Sequence, residues 1–183
     1  MGSGDAEIDV RAHLTAALPE LHAFVRAIAG PGLRAHESTE DLVQSVCREA
    51  LDHEARFRTG GQREFRQWVF REARRKVLSR ARHHAAAKRD AGRVELDDDP
   101  DALARLAVGY SSFSTPSRRI ERKEEVARLE RAIHELEDDQ RTALLLAHIA
   151  QWSRREIAEE MGRSEGAVRM LLHRAVAQLS TRL

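Results

Sequence analysis

The chain has 183 residues, a formal net charge of +1, 33% charged residues and only 4% aromatic ones. This length suits one medium domain or two small ones, and the few breakers (4 Pro, 10 Gly) with little aromatic content predict an all-α protein. The single cysteine, Cys47, excludes an intrachain disulfide and a Cys-rich metal site, and points to a reducing, cytoplasmic setting.

The N-terminus, MGSGDAEID, is polar and acidic, unlike a secretory signal. Ala6 stands where a myristoylation signal wants Ser or Thr. The longest apolar run, Ala143 to Ala147, is far too short to span a bilayer. No membrane role and no cofactor are expected.

The first predicted helix covers roughly Val10 to Ala29. Leu14, Leu18, Leu21, Val25 and Ile28 recur every three or four residues, which gives one apolar face. Gly30-Pro31-Gly32 is expected to end it. A second helix starts near Ser38 or Thr39, with Glu40 and Asp41 at the positive end of its dipole. Its apolar face is Leu42, Val43, Val46, Cys47, Ala50 and Leu51, so Cys47 is expected to be a buried, inert thiol.

After the break at Thr59-Gly60-Gly61 comes a long helix, about Arg63 to Ala87. Its buried stripe is Phe65, Trp68, Val69, Ala73, Val77 and Ala81. Trp68 is expected to pack. Phe57, nearer the glycine loop, is the better candidate to line a base pocket, with packing as the competing expectation. From Gln62 to Arg93 there are 11 Lys and Arg against 3 Asp and Glu. Such an imbalance suggests a basic working surface rather than a solvated face alone.

Residues Gly92 to Ser117 read as a linker: an acidic run, Glu95 to Asp101, and a Gly/Ser/Pro stretch, GYSSFSTPS. DALARLAV between them has room for a short helical turn. A second helical unit starts near Ser117, with Val126, Leu129, Ile133 and Leu136 at bundle spacing. Asp138 to Ala150 follows, with Leu144, Leu145 and Ile149 turned inward.

The last stretch, SRREIAEEMGRSEGAVRMLLHRA, carries the strongest local signal. Ser153 and Glu156 form the S-x-x-E pattern of a capping box. Gly162 is placed to end that helix in the left-handed conformation. Ser164 caps the next helix, whose apolar face is Val168, Leu171, Leu172 and Ala175. Cap, glycine, second cap and apolar spacing agree on a helix-turn-helix. On its outer side lie Glu165, Gly166, Ala167, Arg169, Met170, His173 and Arg174. Gly166 and Ala167 let the first turn approach DNA closely. Arg169 and Arg174 suit guanine edges or phosphate, and Arg154 and Arg155 suit phosphates. No set of residues forms a nucleophile–base pair, a paired-carboxylate site or a phosphate-cradling loop, so no enzymatic activity is expected.

Taken together, the chain resembles a bacterial sigma-70 family RNA polymerase sigma factor of the two-domain, extracytoplasmic-function group. In the second half, the Leu136-Glu-Asp-Asp-Gln140-Arg141 start and the two helices after it resemble the family's promoter-binding domain, without the usual proline after Leu136. In the first half, ESTEDLVQSVCREAL resembles the family's polymerase-contacting helix, with Glu40, Asp41 and Gln44 matching. EFRQWVFREARRKVLSRARHH resembles the stretch that handles the minus-ten element, with Phe65, Arg66, Trp68, Ala73 and Arg82 matching. Arg75 and Ser79 replace the family's Asn and Asp.

The resemblance implies two small helical domains joined by a flexible acidic and Ser-rich linker, with divided labour. Residues 1–91 would bind core polymerase through Glu40, Asp41 and Gln44, and the minus-ten element through Phe57, Arg71, Arg74, Arg75, Lys76, Ser79, Arg80 and Arg82. Residues 92–117 would be the linker. Residues 118–183 would read the minus-thirty-five element through Arg154, Arg155, Ser164, Glu165, Gly166, Ala167, Arg169, Met170, His173 and Arg174. The implied partners are core RNA polymerase, promoter DNA and an anti-sigma factor. Ser38 and Ser45, where the family carries acids, and Thr39 between them raise a regulatory kinase as a further candidate. The competing functions are a stand-alone helix-turn-helix regulator and a protein-interaction module with a degenerate helix-turn-helix.

Overall fold

A computed structural model of the chain describes residues 9–57, 61–87 and 119–182. Among these, every regular element is a helix: α1 (Val10–Arg34), α2 (Thr39–Asp52), α3 (Glu54–Phe57), α4 (Gln62–Ala87), α5 (Arg119–His134), α6 (Asp138–His148), α7 (Arg154–Met161) and α8 (Glu165–Ser180). The linker expected over 92–117, with its acidic and Ser-rich runs, lies outside the described residues.

The first four helices form one bundle. α1 packs along α4 and α2, and α2 closes on α4. The expected stripes are inside: Leu14, Leu21, Val25 and Ile28 from α1, Leu42, Val43, Val46 and Ala50 from α2, Phe65, Val69, Ala73 and Val77 from α4. Leu18, Cys47, Leu51, Trp68 and Ala81 pack against them from the rim. Phe24 and Phe70, outside the expected stripes, are fully buried and meet edge-to-face at 5.2 Å. Such a pair adds about 0.5–1.5 kcal/mol to the burial itself.

α1 runs further than its sequence suggests. Gly30 takes φ 67, ψ 165, breaks the helix there, and the chain resumes a helical turn at Pro31 that carries Leu33 into the core. A glycine supplies the positive φ and a proline is pre-set for a first helical turn, so the punctuation kinks the helix rather than stopping it. The helix also passes through Pro19, which forfeits the bond to the Thr15 carbonyl. Packing on both sides of Pro19 holds it helical.

The second unit is α5 to α8. α6 is its central helix and packs on α7 and α8. Ile133, Leu136, Leu144, Leu145, Leu146, Ile149, Ile157, Val168 and Ala175 fill its interior, with Leu171, Leu172 and Met161 at the rim. The two units are joined by more than chain: α1 also packs on α5 and α6, and their buried side chains form one continuous apolar cluster.

Candidate nucleic-acid interface

The C-terminal motif is built as its sequence demands. Ser153 Oγ accepts from the Glu156 amide at 3.3 Å, and Glu156 Oε2 accepts from the Ser153 amide at 2.7 Å. That is a complete capping box, and the cap is worth about 1 kcal/mol. Gly162 ends α7 at φ 63, ψ 37. Ser164 then caps α8 by accepting from the Ala167 amide at 3.2 Å. Burial of Ile157, Ala158, Val168 and Ala175 fixes the two helices against α6.

This leaves one face of the motif in solvent. Ser164, Glu165, Gly166, Arg169, Met170, His173 and Arg174 are exposed, and Ala167 is half-buried. Met170 is 46% exposed although it is apolar. Arg154 and Arg155 are exposed at the start of α7, where Arg155 pairs with Glu159 one turn on at 3.5 Å. A Cβ added at Gly166 would meet only Ser164 Oγ, at 3.9 Å. Internal packing therefore does not require a glycine there. All ten residues expected to read duplex lie around α8 and the head of α7.

The basic helix α4 is more heavily paired than its composition suggests. Arg75 donates to Glu72 Oε1 at 2.6 Å and to Glu49 Oε1 at 3.2 Å, and Lys76 lies 2.5 Å from Glu49 Oε2. The bond from Lys76, with Arg75 beside it, holds the Glu49 carboxyl below its usual range against the opposing effect of burial. Arg80 lies 3.4 Å from Glu37. Arg71 and Arg74 donate to the two oxygens of Glu160 on α7, at 2.8 and 3.1 Å. Ser79 and Arg82 are exposed.

Phe57 does not line an open base pocket. It is 1% exposed and packs against Phe65 and Trp68 at ring distances of 5.2 and 5.0 Å. Its place at the end of α3 turns it under α4, and burying a whole phenyl ring outweighs leaving it at a loop. Trp68 is half-buried against it, and the His53 ring lies 6.1 Å from the Trp68 ring.

On α2, Glu40, Asp41 and Gln44 are exposed together on the outer face of the first two turns. Ser38 caps the helix by accepting from the Asp41 amide at 3.0 Å and donates to Asp41 Oδ2 at 2.7 Å. Thr39 and Ser45 are half-buried. Among the described residues there is no group of three or more His, Cys, Asp or Glu side chains arranged to hold a metal, and no helix is long and apolar enough to cross a membrane.

Residues 14–87 match the family model of sigma-70 region 2, and residues 127–179 match that of sigma-70 region 4. The ECF RNA polymerase sigma factor SigD of Mycobacterium tuberculosis is 30% identical over 156 residues, which cover 85% of this chain and 68% of that protein. SigD of Mycobacterium bovis matches to the same extent. The chain belongs to the ECF sigma factors.

A solved structure of the sigma factor RpoE in complex with the anti-sigma factor NepR, from Bartonella quintana, shares the fold. Its TM-score is 0.66 at 20% identity, over 94% of this chain and 95% of that one. On this sigma factor, region 2 thus falls on α1 to α4 and region 4 on α5 to α8.

Sequence reasoning missed the residues that tie these regions together. Arg63 and Gln67 donate to Glu156 Oε1, and Arg66 donates to the Ile149 and Ala150 carbonyls at 2.8 and 3.2 Å. Burial alone would raise the Glu156 carboxyl, but the Ser153 amide and hydroxyl and the Arg63 guanidinium outweigh it and hold it low. The i, i+4 repeats Arg63/Gln67/Arg71 and Glu156/Glu160 were visible in sequence. Their meeting across some ninety residues was not.

Proposed function

We propose that this sigma factor binds core RNA polymerase and directs it to promoters by a two-point grip. α8, with the head of α7, reads the minus-thirty-five element as duplex in the major groove. α4 holds the minus-ten strand once it is displaced, through phosphate contacts from its arginines and Lys76. Glu40, Asp41 and Gln44 present an acidic and amide face to the polymerase. Strand opening follows from holding the displaced strand, and the polymerase supplies all the bond chemistry.

The observation that carries this reading is the order of the two regions in one chain. A capped helix-turn-helix with an exposed Arg169/Arg174 face follows a bundle whose long helix is dense in arginine. A stand-alone regulator needs only the first of these. An anti-sigma partner is a natural regulator, since the structural neighbour was solved bound to one.

Run-off transcription with purified chain, core polymerase and a promoter library tests the proposal. Specific initiation dependent on the chain is expected. No complex with core would defeat the reading, and a complex without specific initiation would favour an interaction module.

A further inference from the structure

α2 and α4 are joined by a cluster of charged side chains. Arg75 donates Nε to Glu72 Oε2 at 2.8 Å and Nη2 to Glu72 Oε1 at 2.6 Å, a bidentate fork within one turn of α4. Its Nη2 also donates to Glu49 Oε1 on α2, at 3.2 Å. Lys76 holds the other oxygen of Glu49 at 2.5 Å. The Glu72 side chain is 9% exposed, and that of Arg75 is 62% exposed. A buried carboxylate therefore grips an arginine whose outer end stands in solvent.

The cluster sets both the aim of Arg75 and its charge. The three hydrogen bonds use the N–H of Nε and those of Nη2, and no described residue pairs with Nη1. The two N–H groups of Nη1 are what remains to offer a ligand. Arg75 and Lys76 are balanced by Glu49 and Glu72, so the cluster is formally neutral. A neutral cluster gains little from phosphate, whose attraction follows net charge. A donor pair that is already ordered loses little entropy when it meets paired acceptors on a base edge.

Leu78 supports a base over a phosphate. It lies one turn on from Arg75, on the same face, and is 38% exposed although apolar. Arg82, one turn beyond Leu78, is exposed and donates only to the Leu78 carbonyl, at 3.3 Å, among the described residues. It keeps its full charge for the backbone. The residue type at 75 matters as well. The Asn that the family carries there offers a donor and an acceptor, which match adenine. A guanidinium offers donors only, which match the O6 and N7 acceptors of guanine.

We infer that Arg75 reads a guanine of the displaced minus-ten strand, and that Glu72 and Glu49 are positioning residues that aim it and cancel its pull on phosphate. The inference rests on the reading of α4 proposed above and narrows it: Arg82 holds the backbone, and Arg75 reads sequence. Removing either carboxylate frees positive charge and loosens the aim. Affinity for any strand then rises while discrimination falls. A carboxylate that served folding alone would lower both when removed.

The test uses the full chain reconstituted with core polymerase, on fork-junction DNA whose minus-ten strand is already single. Each position of that strand is varied through the four bases, at several salt concentrations. The unmodified chain is expected to prefer guanine at one position. Arg75→Ala should shrink that preference about 5–100-fold and leave the salt dependence nearly unchanged. Arg75→Lys, a charge without a fork, should lose the preference too. Arg82→Ala should weaken every sequence alike and reduce the salt slope by about 0.7. Glu49→Gln and Glu72→Gln should each bind mismatched strands about 2–5-fold more tightly while the guanine preference shrinks. Glu49 is the more exposed of the two, so its variant reads out even where loss of buried Glu72 disturbs folding.

Absence of a guanine preference in the unmodified chain overturns the inference. So does an Arg75→Ala variant that weakens every sequence alike with a reduced salt slope, which would make Arg75 a phosphate contact. A Glu49→Gln variant in which affinity and preference fall together overturns the positioning role. A chain that forms no complex with core polymerase would instead defeat the sigma-factor reading, and this inference with it.

Discussion

Arg26 on α1 and Glu130 on α5 meet in a bidentate ion pair, Nε to Oε1 at 2.5 Å and Nη2 to Oε2 at 3.1 Å, with both residues less than a tenth exposed. The pair joins region 2 to region 4 within the shared core. Two buried charges are costly to desolvate, and their mutual attraction with two hydrogen bonds offsets that cost only while both are present. Glu130→Gln should lose about 3–5 kcal/mol in urea denaturation, because Arg26 is left buried and uncompensated. Replacing both with apolar residues, Arg26→Met with Glu130→Leu, should lose far less. Equal losses would show that the pair is not a coupled unit.

Acid should loosen the same region through His134. Burial, with Arg34, Arg141 and Arg26 nearby, lowers this imidazole to about 4 from 6.5. It is neutral in the fold, where Arg34 Nη2 lies 3.4 Å from its Nε2. The unfolded chain takes up the proton below about pH 6.5 while the fold does not. The stability it allows is complete above pH 6.5 and is lost as pH falls towards 4. The depressed carboxyls Glu156 and Glu49 act lower, since what they contribute is present above their ordinary value of 4.5 and lost only below it. Melting temperature against pH should therefore fall between 6.5 and 4.5 in the wild type and stay flatter in His134→Gln. Parallel curves would contradict this.

Gly166 is where folding and the proposed DNA reading can be tested apart. Its neighbourhood has room for a methyl group, and alanine is the better helix former by up to about 1 kcal/mol. Gly166→Ala should raise the melting temperature and weaken binding to minus-thirty-five duplex, because the added Cβ lies on the face proposed to meet DNA. Unchanged duplex affinity would remove Gly166 from the interface.

Two arginines should behave differently in duplex titrations. Arg169→Ala should cost about 1–3 kcal/mol on the preferred sequence and relax preference at one base position. Arg154→Ala should weaken all sequences alike and reduce the salt slope by about one. Identical sequence dependence in both would overturn the division between base and phosphate contacts.

The outer face of α2 is predicted to serve only the polymerase. Glu40→Ala, Asp41→Ala and Gln44→Ala combined should abolish pull-down of core polymerase with little change in melting temperature, since the side chains are exposed and their local contacts are weak. Retained pull-down would place the contact elsewhere.

What was legible in the sequence follows from range. The capping box at Ser153 and Glu156, the Gly162 terminator and the Ser164 cap are local chemistry, set within four residues, and each forms as its spacing dictates. The apolar stripes were legible because one face of each helix is buried. Phe24 and Phe70 escaped because α1 and α4 are flanked on more than one side, so a single stripe understates what is inside. Gly30-Pro31 punctuates the chain but yields a kink, because Leu33 beyond it still has a core to enter. Phe57 and the arginines of α4 depended on distant partners. Whether Arg71 faces solvent or Glu160 is decided by tertiary packing, which no local spacing encodes.

The most direct test of the account is a hydroxyl-radical footprint of the chain reconstituted with core polymerase on a promoter from which it initiates. Two protected patches are predicted, with permanganate-reactive, unpaired thymines only at the downstream one, and the upstream patch alone should fade in the Arg169→Ala, Arg174→Ala double variant. A single patch, or unpaired bases that appear without core polymerase, would contradict the two-point grip.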